Sequence, residues 1–125
     1  MRFRARTARF LFAGLLLVGA GAVVGAPTAA AGSNESVVTE RGSVAWYHDG
    51  DKVVVCDAKA DGLSIEANYR LAGGTTPGRV LHVAGAGNCD SKIWDKTEGQ
   101  NIQIRMCYRD GFVITKCSNW QAAEA

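Results

Sequence analysis

From Leu63 to Leu71 apolar and polar residues alternate without a break, with Leu63, Ile65, Ala67, Tyr69 and Leu71 set against Ser64, Glu66, Asn68 and Arg70. A period of two is the mark of a strand with one buried face, so this segment predicts a half-buried antiparallel strand. Ser43 to His48 and Lys52 to Asp57 are rich in β-branched and aromatic residues and are joined across Asp49-Gly50, a dipeptide suited to the positive φ angles of a type I′ hairpin turn. That turn would set Trp46 opposite Val53 and Val44 opposite Val55 on one core face, with Ala45 and Val54 on the other. Alternation resumes in Arg79 to Ala84 after the turn-rich Gly73 to Gly78, and again in Gln100 to Arg109, where Ile102, Ile104, Met106 and Tyr108 share a side. A last strand is expected from Val113 to Trp120, and Val37 to Thr39 can begin a first one. Gly85 to Gly99 has neither period and reads as a long loop. With no sustained helical periodicity and glycine-rich turns between short strands, the pattern predicts an all-β domain, a small antiparallel sandwich or barrel.

The first 31 residues fall outside this pattern. Arg2, Arg4, Arg6 and Arg9 precede an apolar run from Phe10 to Val24, which Pro27 and the small residues Ala29, Ala30 and Ala31 close. The run is thinned by Gly14, Gly19 and Gly21 and falls short of the ~20 apolar residues of a spanning helix. A secretory signal with cleavage after Ala31 is the expected reading. Residues 32–42 are then expected to be a flexible tail and residues 43–121 the β domain, secreted and free of the membrane. Taking the four arginines of the start from the 14 Lys and Arg leaves ten against 12 Asp and Glu, so the formal charge falls from +2 to −2. The remaining cations stand singly between acids, which argues against nucleic acid as a partner.

A chain this short has a marginal core and calls for staples. Cys56, Cys89, Cys107 and Cys117 are an even number in an exported chain and predict two disulfides. No Cys-x-x-Cys or Cys-x-x-His spacing suggests a metal site. Three connectivities are possible. In the last hairpin, a two-residue Asp110-Gly111 turn would oppose Arg105 to Lys116 and point Cys107 and Cys117 to opposite faces. A three-residue loop, Gly111 to Val113, instead sets Cys107 opposite Cys117 and Ile104 opposite Trp120, within bridging reach. The register therefore favours Cys107 to Cys117 and, by elimination, Cys56 to Cys89.

Candidate chemistry is sparse. His48 and His82 are the two histidines, and neither lies in a nucleophile elbow or another catalytic motif. Asp49 with Asp51, and Asp57 with Asp61, fit turn formation better than a calcium loop, whose alternate ligands and terminal glutamate are missing. No cofactor and no catalytic residue is expected. Trp46, Tyr69 and Trp120 are assigned to the core, which leaves Tyr47 and Trp94, the latter beside Ile93 in the charged loop, as a possible contact surface.

The export signal, the Cys-Asp-x-x-Ala-Asp-Gly of Cys56 to Gly62, the Gly-Ala-Gly-x-Cys of Gly85 to Cys89 and the final Cys…Cys-x-x-Trp of Cys107, Cys117 and Trp120 resemble small secreted proteins of actinobacteria, typically of unassigned function. The resemblance spans roughly residues 42–120 and implies a disulfide-stapled β domain and no activity. Two functions follow as expectations. The first is a non-enzymatic binding or envelope-associated module for an extracellular protein or a cell-wall glycan. The second, an analogy to small secreted protease and amylase inhibitors at the level of architecture, is inhibition of an extracellular hydrolase through Gly85 to Gly99, a loop that a disulfide at Cys89 would rigidify.

Overall fold

A computed structural model describes residues 32–75 and 78–125; the expected signal segment lies outside the described residues. The described chain is all β: β1 (Glu35–Thr39), β2 (Gly42–Tyr47), β3 (Lys52–Asp57), β4 (Ser64–Leu71), β5 (Arg79–Val83), β6 (Cys89–Ile93), β7 (Asn101–Asp110), β8 (Val113–Cys117) and β9 (Gln121–Glu124). Two antiparallel sheets form, one in the order β1-β2-β3-β6, the other β5-β4-β7-β8 with β9 also paired to β7. They pack face to face as a sandwich. One corner is drawn together where Ser33 bridges Glu124, but the sheets do not close into a barrel. No helix among the described residues is long and apolar enough to cross a membrane.

The two inner faces carry the alternating apolar positions. Val44, Trp46, Val53 and Val55 of the first sheet meet Ile65, Ala67, Tyr69, Ile102, Ile104 and Met106 of the second, all essentially buried. Burying each large apolar side chain contributes roughly 1.5–3 kcal/mol. The β2–β3 register is the expected one, Val44 with Val55 and Trp46 with Val53. Its turn differs. Positive φ falls on Gly50 and Asp51, not on Asp49 and Gly50, and the Asp51 amide donates to the His48 carbonyl at 3.3 Å. Both disulfides, Cys56–Cys89 and Cys107–Cys117, link residues that lie directly opposite one another.

Several expectations are corrected. The strand expected to begin over Val37 to Thr39 is present and starts at Glu35, pairing with β2 as an edge strand, so residues 32–42 are not a flexible tail; the Ser33 amide donates to the Glu124 carbonyl at 3.0 Å. The domain extends past residue 121, because β9 pairs with β7 and buries Ala123 and Ala125. Gly85 to Gly99 is not one long loop. Cys89–Ile93 pairs with β3 along its whole length, and all five of its residues are exposed. An edge strand open on both faces carries no hydrophobic period, which is why alternation did not mark it.

The last hairpin satisfies both of its competing demands. Gly111 and Phe112 make a two-residue turn between Asp110 and Val113, and a bulge that leaves Thr115 unpaired restores Tyr108 to Lys116 and Cys107 to Cys117. Beyond Cys117 the chain leaves the ladder at Ser118, so Ile104 faces Gln121 and not Trp120. Trp120 is consequently outside the core.

β4 is buried on both faces, not half-buried. Glu66 is 4% exposed and Asn68 1%. Arg109 Nη1 meets Glu66 Oε2 at 2.8 Å, Asn68 Nδ2 donates to Glu66 Oε1 at 2.7 Å, and Arg105 Nε donates to Asn68 Oδ1 at 2.9 Å. Trp120 takes part in covering this polar face, with the guanidinium groups of Arg70 and Arg105 at 3.9 and 4.6 Å from its ring.

Candidate functional site

Tyr47, Ile93 and Trp94 part company in the structure. Tyr47 is paired with Lys52, and Lys52 with Ile93, so these three stand in one row on the outer face of the first sheet. Tyr47 and Ile93 are 44% and 62% exposed, and the Lys52 ammonium lies 5.8 Å from the Tyr47 ring. Trp94 follows Ile93 and points to the opposite side. It is 7% exposed, edge-on to Trp46 at 6.2 Å and to Tyr69 at 5.0 Å between ring centroids. The ring plugs the sandwich and is not an exposed platform. Asp51 positions it: the Asp51 carbonyl accepts the Trp94 amide at 2.7 Å, and Asp51 Oδ2 accepts the Lys96 amide at 2.9 Å.

The most prominent exposed apolar group lies elsewhere, at the tip of the β7–β8 hairpin. Phe112 is 98% exposed, followed by Val113 at 63% and Ile114 at 42%. Two-residue hairpin turns ordinarily carry Gly, Asn or Asp, and Gly111 supplies the positive φ here, at 58°. A phenylalanine beside it buries nothing within the fold. The stem beneath is held firmly. Cys107–Cys117 closes its base. Arg109 is tied to Glu66, Thr115 Oγ1 donates to the Tyr108 carbonyl at 3.3 Å, and the Tyr108 hydroxyl hydrogen-bonds Thr39 Oγ1 at 2.8 Å. Sequence reasoning passed over Phe112, although an aromatic in the Asp-Gly-Phe-Val-Ile turn was the available signal.

Beside the stem, the β3–β4 and β5–β6 connections border an open cleft of about 410 Å³, lined among others by Asp57, Asp61, Ser64, His82, Arg109 and Gly111. Its carboxylates are engaged in shaping the turns. Asp57 accepts the amides of Lys59 and Gly85 at 3.1 and 3.0 Å, while Asp61 accepts that of Leu63 and pairs with Arg41 at 2.8 Å. These are the turn-forming roles expected of the two aspartates. Ser64 Oγ donates to the Arg109 carbonyl at 3.4 Å, so the hydroxyl is directed to backbone and not to a histidine base. Among the described residues no cluster of His, Cys, Asp and Glu could hold a metal ion.

A second cleft, of about 280 Å³, opens at the other end of β4, with Tyr69, Leu71, Arg79, Trp94 and Lys96 on its walls. The Lys96 ammonium stands 4.8 Å from the Trp94 ring centroid and the Arg79 guanidinium 6.0 Å. Burial pushes the Tyr69 phenol above its ordinary range, and the positive charge of Arg79 opposes that rise.

No protein-family profile matches the sequence, and no curated protein matches it.

Proposed function

We propose that this chain is an exported, non-enzymatic binding domain that captures an extracellular protein with the tip of its β7–β8 hairpin. The observation that carries the reading is Phe112, almost fully exposed on a stem that a disulfide and a buried ion pair hold in place. An aromatic residue already fixed in a projecting position loses little freedom on docking, and such preorganised anchors contribute a disproportionate share of binding energy. Val113 and Ile114 extend the apolar contact toward the stem. The complementary partner surface is an apolar pocket. Where that pocket is the substrate cleft of a secreted hydrolase, the same contact would inhibit it; the hairpin, not Gly85 to Gly99, is then the inhibitory element. The two disulfides fit an oxidising compartment.

Capture from culture medium on the immobilised protein tests the proposal. Phe112→Ser should weaken retention of the captured protein by at least about 30-fold, as expected for a hot spot, while leaving the unfolding midpoint within about 2 °C of the wild type. Ile93→Ser and Tyr47→Ser, on the outer face of the other sheet, should leave retention intact. Equal retention by the Phe112 variant, or loss confined to the Tyr47 variant, would overturn the assignment of the hairpin.

A further inference from the structure

We propose that the cleft between Tyr69, Arg79, Trp94 and Lys96 is a binding site for a small ligand bearing an oxyanion, a carboxylate or a phosphate. It lies at the end of β4 remote from the hairpin and is independent of the protein-binding role. Three observations converge on it.

The first is charge. Arg79 and Lys96 both line the cleft, and the ion pairs among the described residues engage Arg41, Lys59 and Arg109 but neither of these two. Among the described residues, no Asp or Glu lines the cleft. Asp51, buried on the neighbouring turn, directs Oδ2 to the backbone amide of Lys96. Arg70, the third cation at the rim, is already engaged by Gln103, the Gly74 carbonyl and the Trp120 ring. In a domain whose described residues carry more acids than bases, two cations outside any ion pair on one concave wall make a local positive field.

The second is the surface beneath the charges. Both cations lie over the face of Trp94, which meets Tyr69 edge to face. Cation–π contact holds the two side chains near the cleft without neutralising them, so their charge remains available to an incoming anion. Buried aromatic walls lower the local dielectric and strengthen that attraction relative to open solvent.

The third is space. An anionic oxygen brought into the cleft is the group that two cations over an aromatic wall favour. The volume, about 280 Å³, is at the small end for ligand clefts and admits one anionic group on a short body.

Titration followed by amide and indole NMR separates the sources of the anion. Inorganic phosphate and galacturonate are the two charged probes, and galactose is the neutral control. Saturable shifts concentrated on the Trp94 indole N–H and on Tyr69, Arg79 and Lys96, with half-saturation below about 10 mM, are the expected result for at least one charged probe. Phosphate alone would assign a phosphate ligand, galacturonate alone a carboxylate. Arg79→Gln combined with Lys96→Gln should weaken that binding at least about tenfold, and raised salt should weaken it further. Both side chains are outside the core, so the amide dispersion should persist; Lys96→Gln alone, with a smaller weakening in the same direction, serves if the pair perturbs the fold. Shifts spread over all Lys and Arg without saturation, galactose shifting the same resonances, or unchanged affinity in the variants would overturn the site.

Discussion

Asp51 accepts the backbone N–H of Trp94 at 2.7 Å and, through Oδ2, that of Lys96 at 2.9 Å, while its own backbone sits at φ 48° in the left-handed region. One turn residue of the β2–β3 hairpin thereby fixes the chain leaving β6 and sets Trp94 across the end of the core. Asp and Asn tolerate this backbone conformation better than other side chains carrying a Cβ. Asp51→Ala should therefore lose about 2–4 kcal/mol, the sum of a hydrogen bond to a charged acceptor and local backbone strain. Asp51→Asn keeps an acceptor and the tolerated φ and should lose less than about 1.5 kcal/mol. Chemical denaturation of both variants checks the ordering, and equal losses would contradict it.

The ion pair Arg109–Glu66 and the pair Lys59–Glu40 differ in burial more than in chemistry. Glu66 and Arg109 side chains are 5% and 23% exposed, Glu40 and Lys59 77% and 46%. Glu66→Ala leaves Arg109 and Asn68 without their acceptor under the sheet and should cost about 3–5 kcal/mol. Glu40→Ala should cost no more than about 0.5 kcal/mol. Denaturation midpoints measured at low and high salt would show the second effect vanish with screening and the first persist.

Legibility followed physical context. The β2–β3 register and the inner faces of β4 and β7 could be read because each has one apolar side against a core, and a one-residue slip would expose Trp46 or Ile104. Pairing of Cys107 with Cys117 was legible through register, although the real turn, Gly111-Phe112 with a bulge at Thr115, was not. Strand β6 escaped because Asp90, Ser91 and Lys92 present no buried side at all. Glu66 and Asn68 looked like a solvated face, since a polar residue satisfied beneath a sheet and one in water have the same one-letter pattern. Trp94 could not be placed from a loop reading because its orientation depends on β6 ending at Ile93, where the alternation turns the next side chain inward.

The two disulfides should act on different scales. Cys56–Cys89 spans 33 residues of sequence and joins β3 to an edge strand, whereas Cys107–Cys117 spans ten within one hairpin. Chain-entropy reasoning assigns about 4 kcal/mol to the first and about 3 kcal/mol to the second. Replacing both cysteines of each pair by Ala should lower global stability more for Cys56 and Cys89. Loss of Cys107–Cys117 should speed amide exchange most within Gly111 to Lys116, beyond the ties of Tyr108 to Thr39 and of Arg109 to Glu66. Uniform exchange acceleration throughout the domain would show that the hairpin does not open as a local unit.

Tyr69 links the core to alkaline stability. Its phenol is raised by burial among the rings of the sandwich, with Arg79 opposing the rise. A folded-state pKa above the unfolded value means that, between the two, the native chain holds a proton that the unfolded chain has released. Stability from this group is therefore intact below pH of about 10 and falls as pH climbs from there through the folded pKa. Removing the guanidinium in Arg79→Gln takes away a favourable charge for the phenolate, so titration of Tyr69 should move to still higher pH and the alkaline loss should grow larger. Phenolate absorbance titrated alongside the Tyr69→Phe variant isolates this group from Tyr47 and Tyr108. A Tyr69 titration that moves down in Arg79→Gln would contradict the proximity of the two side chains at the cleft.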